Sequence, residues 1–129
     1  MIAIIPSADN VAAFRIEGTL EARDYDEMIP HIDEKLRDHE AIGVFVDMVG
    51  FNDMTGEAMR SDLKFGIDKL GDLHRFRRMG LASDKQWVKA VMEIATFLVP
   101  RIEFRVFAPD ETDEALSGVA ETGDAAQGA

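Results

Sequence analysis

The chain has 129 residues, room for one domain with one core, and its 47% hydrophobic and 30% charged residues are the balance of an ordinary globular protein. It has no cysteine, which excludes a disulfide framework, a thiolate metal site and a cysteine nucleophile together and fits a reducing compartment. The net charge of −11 speaks against nucleic acid, because phosphate backbones are bound by lysine and arginine displacing counterions.

The first residues, Met1-Ile2-Ala3-Ile4-Ile5-Pro6-Ser7, have no basic leader and too short an apolar run for a signal peptide. No stretch approaches the roughly 18 consecutive apolar residues of a membrane span, so a cytoplasmic location is expected. Ile2 to Ile5 reads as a short strand closed by Pro6, and residues 11–17, with Phe14 and Ile16 against Arg15 and Glu17, as its hairpin partner. Tyr25, Met28, Ile29, Ile32 and Leu36 then recur at helical spacing over 22–38. Asp24 is the expected cap, and Pro30 predicts a boundary or kink.

Residues 41–48 form a nearly continuous apolar run, as a central parallel strand covered on both faces requires. Thr55 is the expected N-cap of a helix over 56–71, with Met59, Leu63, Ile67 and Leu70 as its buried side and Gly66 as a point of close packing. Phe76 to Ala82 reads as a strand, Ser83-Asp84 as the cap of a helix over 85–98, and Pro100 as its stop. An alternating strand follows at 102–107, then a short helix with Ala115, Leu116 and Val119. Residues 120–129 are small, polar and acidic, and disorder is expected there. The expected architecture is one α/β domain over 1–119, a mixed β-sheet with a helical layer in β-β-α-β-α-β-α-β-α order.

Phe14-Arg15-Ile16-Glu17-Gly18-Thr19-Leu20 with Asp24-Tyr25, Asp62-Leu63-Lys64-Phe65-Gly66, Ala82-Ser83-Asp84-Lys85-Gln86-Trp87, and Phe104-Arg105-Val106-Phe107 ahead of Glu114-Ala115-Leu116 follow one another in a recognisable order. In that order they resemble the SpoIIAA-like family, relatives of the STAS domains of anti-sigma-factor antagonists and anion transporters. The resemblance implies the SpoIIAA/STAS-like fold, and the roles put forward for that family centre on lipophilic ligands and membrane association. STAS phospho-switches carry an Asp-Ser pair at the start of the helix after the central strand. Here Asp53-Met54-Thr55-Gly56 separates acid from hydroxyl, so Thr55 reads first as a helix cap and second as a phospho-switch.

No catalytic constellation can be assembled. His31, His39 and His74 fall on different elements without metal-ligand spacing, and neither a phosphate loop nor a nucleophile elbow appears. Ser61 and Ser83 have no histidine near them in sequence. Asp47, at the end of the central strand, sits where parallel sheets often bind ligands, and an acid there is also a common structural bond to the next loop. The reading is non-enzymatic, without cofactor or metal.

The helix at 85–98 is over-hydrophobic. At 100° per residue its polar side chains fill an arc of about 100°, whereas packing on a sheet needs an apolar stripe only slightly wider than that. Val88, Val91, Met92 and Ala95 suffice for packing, which leaves Trp87, Ile94, Phe97 and Leu98 in excess. Four coverings are open: the 56–71 helix through Met59, Phe65 and Leu70, a second subunit in a homodimer, a lipophilic ligand between the two helices, or an anionic membrane surface met peripherally with Trp87 as anchor. The candidate contacts are Met59, Phe65, Trp87, Val91, Ile94, Phe97 and Leu98, with Arg75, Arg77, Arg78, Lys85 and Lys89 as a basic rim. The expected function is a binding module for a lipophilic or amphipathic ligand or for transient membrane contact. The alternative is a regulatory protein-protein module of the anti-sigma-antagonist type.

Overall fold

The computed structural model describes residues 1–120. A five-stranded sheet lies in strand order β1-β2-β3-β4-β5, from β1 (Ile2–Ile4), β2 (Val11–Leu20), β3 (Ile42–Met54), β4 (Phe76–Ala82) and β5 (Glu103–Phe107). Only β1 runs antiparallel, pairing Ile2 with Ile16 and Ile4 with Phe14, and the other three pairings are parallel. The parallel strands are joined by α1 (Ala22–Asp38), α2 (Gly56–Asp68) with a 3₁₀ turn (Leu70–Arg75), and α3 (Gln86–Leu98). Right-handed crossovers that all step in one direction put these three helices on one face of the sheet. The last helix, α4 (Thr112–Ala120), packs on the other.

Alternation along β2 divides the core in two. Ala12, Phe14 and Ile16 meet α1 through Tyr25, Ile32 and Leu36, while Val11 and Ala13 join Phe45, Phe107, Ala115 and Val119 beneath α4. Glycine makes the second layer thin: a Cβ at Gly43 would run into the Val119 backbone, and one at Gly80 would stand 3.0 Å from the Phe107 ring. Arg78 Nη1, donating to the Gly118 carbonyl at 3.3 Å, and Asn10 Nδ2, donating to that of Ala120 at 2.8 Å, fasten the end of α4. Among the described residues Gly18 supplies the one positive φ, +68°, where the β2–β3 register shifts.

Several expectations are revised. Pro30 neither ends nor splits α1, which continues from Ala22 to Asp38. Asp24 is not the cap but the third helical residue, and its carboxylate accepts the Glu21 N–H at 2.8 Å. β3 extends to Met54 because β2 pairs with it as far as Leu20. Gly66 permits no close approach, since a Cβ there would meet nothing within 4 Å. The 56–71 segment is helical to Asp68 and then tightens into the 3₁₀ turn. The disorder expected beyond Ala120 lies outside the described residues.

The largest revision concerns α2. Its stripe of Met59, Leu63, Ile67 and Leu70, expected to be buried, is 58–67% exposed. The helix packs on α1 through a different side. Tyr25 Oη donates to Asp62 Oδ1 at 2.9 Å, Lys69 pairs with Asp33, and Phe65 lines the α1–α2 cleft beside Tyr25 and Ile29. Ala58, Asp62, Phe65 and Lys69 recur at helical spacing on that side, turned by about 100° from the apolar stripe.

Candidate functional site: the exposed faces of α2 and α3

Two apolar stripes run down the helical layer. On α3, Val88 and Met92 are buried and Ala95 is half-buried, whereas Val91, Ile94, Phe97 and Leu98 are 51–84% exposed and Trp87 is 49% exposed. Val91 thus joins the excess flank instead of packing on the sheet. The flank recurs as Trp87, Val91, Ile94 and Leu98, one side of a helix, with Phe97 beside it. The sheet below is incompletely sealed: Val46 and Met48 of β3, with Met79 and Leu81 of β4, are half-buried. Under α1, by contrast, Phe14 and Ala12 are fully buried. Of the four coverings, the α2 helix does not supply one, because its own stripe is equally bare.

Trp87 is held at the start of α3. Its indole meets the Phe51 ring at a centroid distance of 6.1 Å, and Lys85 Nζ donates to the Phe51 carbonyl at 3.2 Å. Lys85 itself occupies the N-cap position, and its N–H donates to Ser83 Oγ at 3.1 Å, so Ser83 closes the turn ahead of the helix. Phe65 is the one candidate placed apart, in the α1–α2 cleft and away from the α3 flank. Met59 stays on the exposed stripe.

The basic rim divides into separate groups. Arg75 is committed to the end of α1, donating to the carbonyls of Leu36, His39 and Glu40 and pairing with Asp72. Arg78 pairs with Glu103 at 3.5 Å besides holding α4. Lys85 and Lys89 lie toward the start of α3, and Arg77 lies at the opposite end of the sheet. There Arg77 shares a depression of about 290 Å³ with His74 and Arg101. Arg101 was not among the sequence candidates. Its position just after Pro100, in the return to the bottom of β5, was the available signal.

The remaining polar groups serve structure. Thr55 Oγ1 accepts the Ala58 N–H at 3.0 Å as the N-cap of α2. Asp53 receives the Thr19 hydroxyl at 2.6 Å. Asp47 accepts from Arg15 at 3.2 Å and from the Val49 N–H at 3.0 Å, tying β2 to β3 where their register shifts. Burial and the facing Asp62 carboxylate push the Tyr25 phenol well above its ordinary value. Burial against the Phe14 ring, with Lys35 adding to it and Glu34 opposing, holds His31 below 6.5. Among the described residues no three His, Asp or Glu side chains gather as a metal site. No described helix is long and apolar enough to cross a membrane.

Comparison with curated proteins returns no match. An uncharacterised protein from the DUF3478 family with a SpoIIAA-like fold, from Shewanella loihica PV-4, superposes with a TM-score of 0.70 at 24% identity over 92% of each chain. At that identity the likeness shows the fold. The SpoIIAA-like family model matches residues 11–117, from the start of β2 into α4. The chain, with its mixed sheet and three-helix layer, belongs to the SpoIIAA-like family.

Proposed function

We propose that this protein is a non-catalytic binding module that takes a lipophilic or amphipathic ligand, or touches a membrane surface, through the exposed stripes of α2 and α3. One observation carries the reading: both helices turn their most apolar sides to solvent, over strand residues that are themselves half-buried. Each large apolar side chain left in water forgoes about 1.5–3 kcal/mol of burial. Large apolar side chains exposed together, rather than singly, are the kind of surface that interaction sites use. The methionines Met59 and Met48 suit walls that adapt to a flexible chain. Native mass spectrometry of the protein with a long-chain fatty acid tests the reading. A one-to-one adduct that is lost in Ile94→Ser/Phe97→Ser supports it. A protein that stays bare of adduct, or is recovered as a homodimer closed over these stripes, contradicts it.

A further inference from the structure

The strand order leaves β1 and β5 at the two edges of the sheet. Edge strands expose a row of backbone donors and acceptors, and proteins blunt them by shortness, proline, lysine or bulges. β1 is blunted, being three residues long and followed shortly by Pro6. β5 is not: Glu103 to Phe107 contains no proline or lysine, and its register with β4 runs unbroken. The Phe107 carbonyl accepts the Ser83 N–H at 3.0 Å and so points toward β4. With a period of two, the backbone groups of Glu103 and Arg105 point the same way and those of Phe104 and Val106 point outward. Among the described residues no strand receives them.

The side chains along this edge complement themselves. Ile102-Glu103-Phe104-Arg105-Val106 is apolar, charged, aromatic, charged and apolar in either direction, with the sign of charge reversed about Phe104. A second copy turned about a two-fold axis through Phe104 sets Glu103 opposite Arg105 twice and Ile102 opposite Val106 twice. Phe104 then lies in a hydrogen-bonded pair with its own mate. Glu103 and Arg105 fall in the non-hydrogen-bonded pairs, where Cα atoms approach to about 4.5 Å and opposite charges attract. Centring the pairing on Glu103 or on Arg105 instead sets like charge against like, so one register is favoured. Both charges are exposed and held on the α4 side of the strand. Glu103 pairs with Arg78 at 3.5 Å, and the Arg105 guanidinium lies 4.8 Å from the centre of the Phe107 ring. On the α3 side, half-buried Phe104 and Val106 floor a depression of about 300 Å³ whose wall carries one base, Lys89, and one acid, Glu93.

We propose that β5 is a self-association edge, on which a second copy of this chain pairs antiparallel about Phe104 and joins two five-stranded sheets into one. The occupant is a second copy because the charges of the edge match those of the same edge reversed. Lys89, Glu93 and Thr96 border the seam, whereas Trp87, Val91, Ile94 and Leu98 lie on the opposite side of α3. The dimer therefore leaves the exposed stripes open, and the inference is independent of the amphiphile reading.

Sedimentation equilibrium of the full-length protein tests this, with the parent, Glu103→Arg, Arg105→Glu and an equimolar mixture of the two variants. The seam is short, so concentrations up to about 1 mM are used. The parent should dimerise, and so should Ile94→Ser/Phe97→Ser. Each charge reversal should weaken association by about tenfold, since both symmetry-related pairs become like-charged. Mixing the two variants should restore the dimer, because one chain then brings two positive charges to the seam and the other two negative. That recovery also shows that both variants fold. Arg105→Gln, which keeps the pair of Glu103 with Arg78, should weaken association by a smaller factor and repeats the test if circular dichroism shows either reversal to be unfolded. A parent that is monomeric up to about 1 mM overturns the proposal. So does a dimer that persists undiminished in the reversed variants, or one that folded variants fail to regain on mixing. A dimer lost only in Ile94→Ser/Phe97→Ser overturns it and places the contact on the stripes instead.

Discussion

The Thr55 hydroxyl accepts the Ala58 amide, which satisfies one of the donors that the first turn of α2 cannot bond internally. Thr55→Ala should therefore lower stability by about 1 kcal/mol in a urea titration, without altering the fold. A cost near zero would show that the cap contributes nothing and reopen Thr55 as a residue kept for modification. His31 gives a pH signature. Burial holds its imidazole below 6.5, so as the pH falls through that value the unfolded chain takes up a proton before the folded chain does. The group's contribution is complete above the ordinary value and declines as pH falls toward the folded one. Below about pH 6.5 the denaturation midpoint should fall less steeply in His31→Gln than in the parent. Superimposable slopes would contradict the assignment.

The α4 helix illustrates how an element depends on what its sheet lacks. Gly43 and Gly80 leave the hollow into which Val119 and Phe107 fit, and no side chain at position 43 avoids the Val119 backbone. Gly43→Ala should cost about 1–3 kcal/mol of stability by displacing α4, and hydrogen exchange should rise over residues 112–120. Protection unchanged from the parent would show that α4 docks without that hollow. Most elements were legible in the sequence because their patterns had a single solution, as with the apolar run of β3 and the alternation of β2. Helix α2 was not. Its strongest apolar stripe, Met59 to Leu70, is the exposed one, while its packed side is made of Ala58, Asp62, Phe65 and Lys69. Periodicity locates a stripe, but whether a partner covers it depends on tertiary contacts such as Tyr25 with Asp62. For α3 the excess was visible as an arc too wide for one sheet. The group of His74, Arg77 and Arg101 was not visible, because 27 positions separate the first of these residues from the last and only the parallel pairing of β4 with β5 unites them.

For the whole molecule, the asymmetry between its two sides is the organising fact. The α4 side is closed, with Val11, Ala13 and Phe45 fully buried. On the other side α1 seals its part of the sheet, while α2 and α3 leave two apolar stripes in water and half-buried residues between strand and solvent. The charge is also unequal: residues 60–105 carry +4 on a chain whose total is −11. The protein thus combines a closed half with an open half, and the open half is the surface on which the proposed binding function rests. Trp87, the only tryptophan, stands at the edge of the open half and reports on it directly. The most direct test is its emission during titration with a fatty acid. Burial of the flank should shift the emission to the blue in the parent and leave it unmoved in Ile94→Ser/Phe97→Ser. Emission that does not respond in the parent, or responds equally in both, would contradict the assignment of this face as the binding surface.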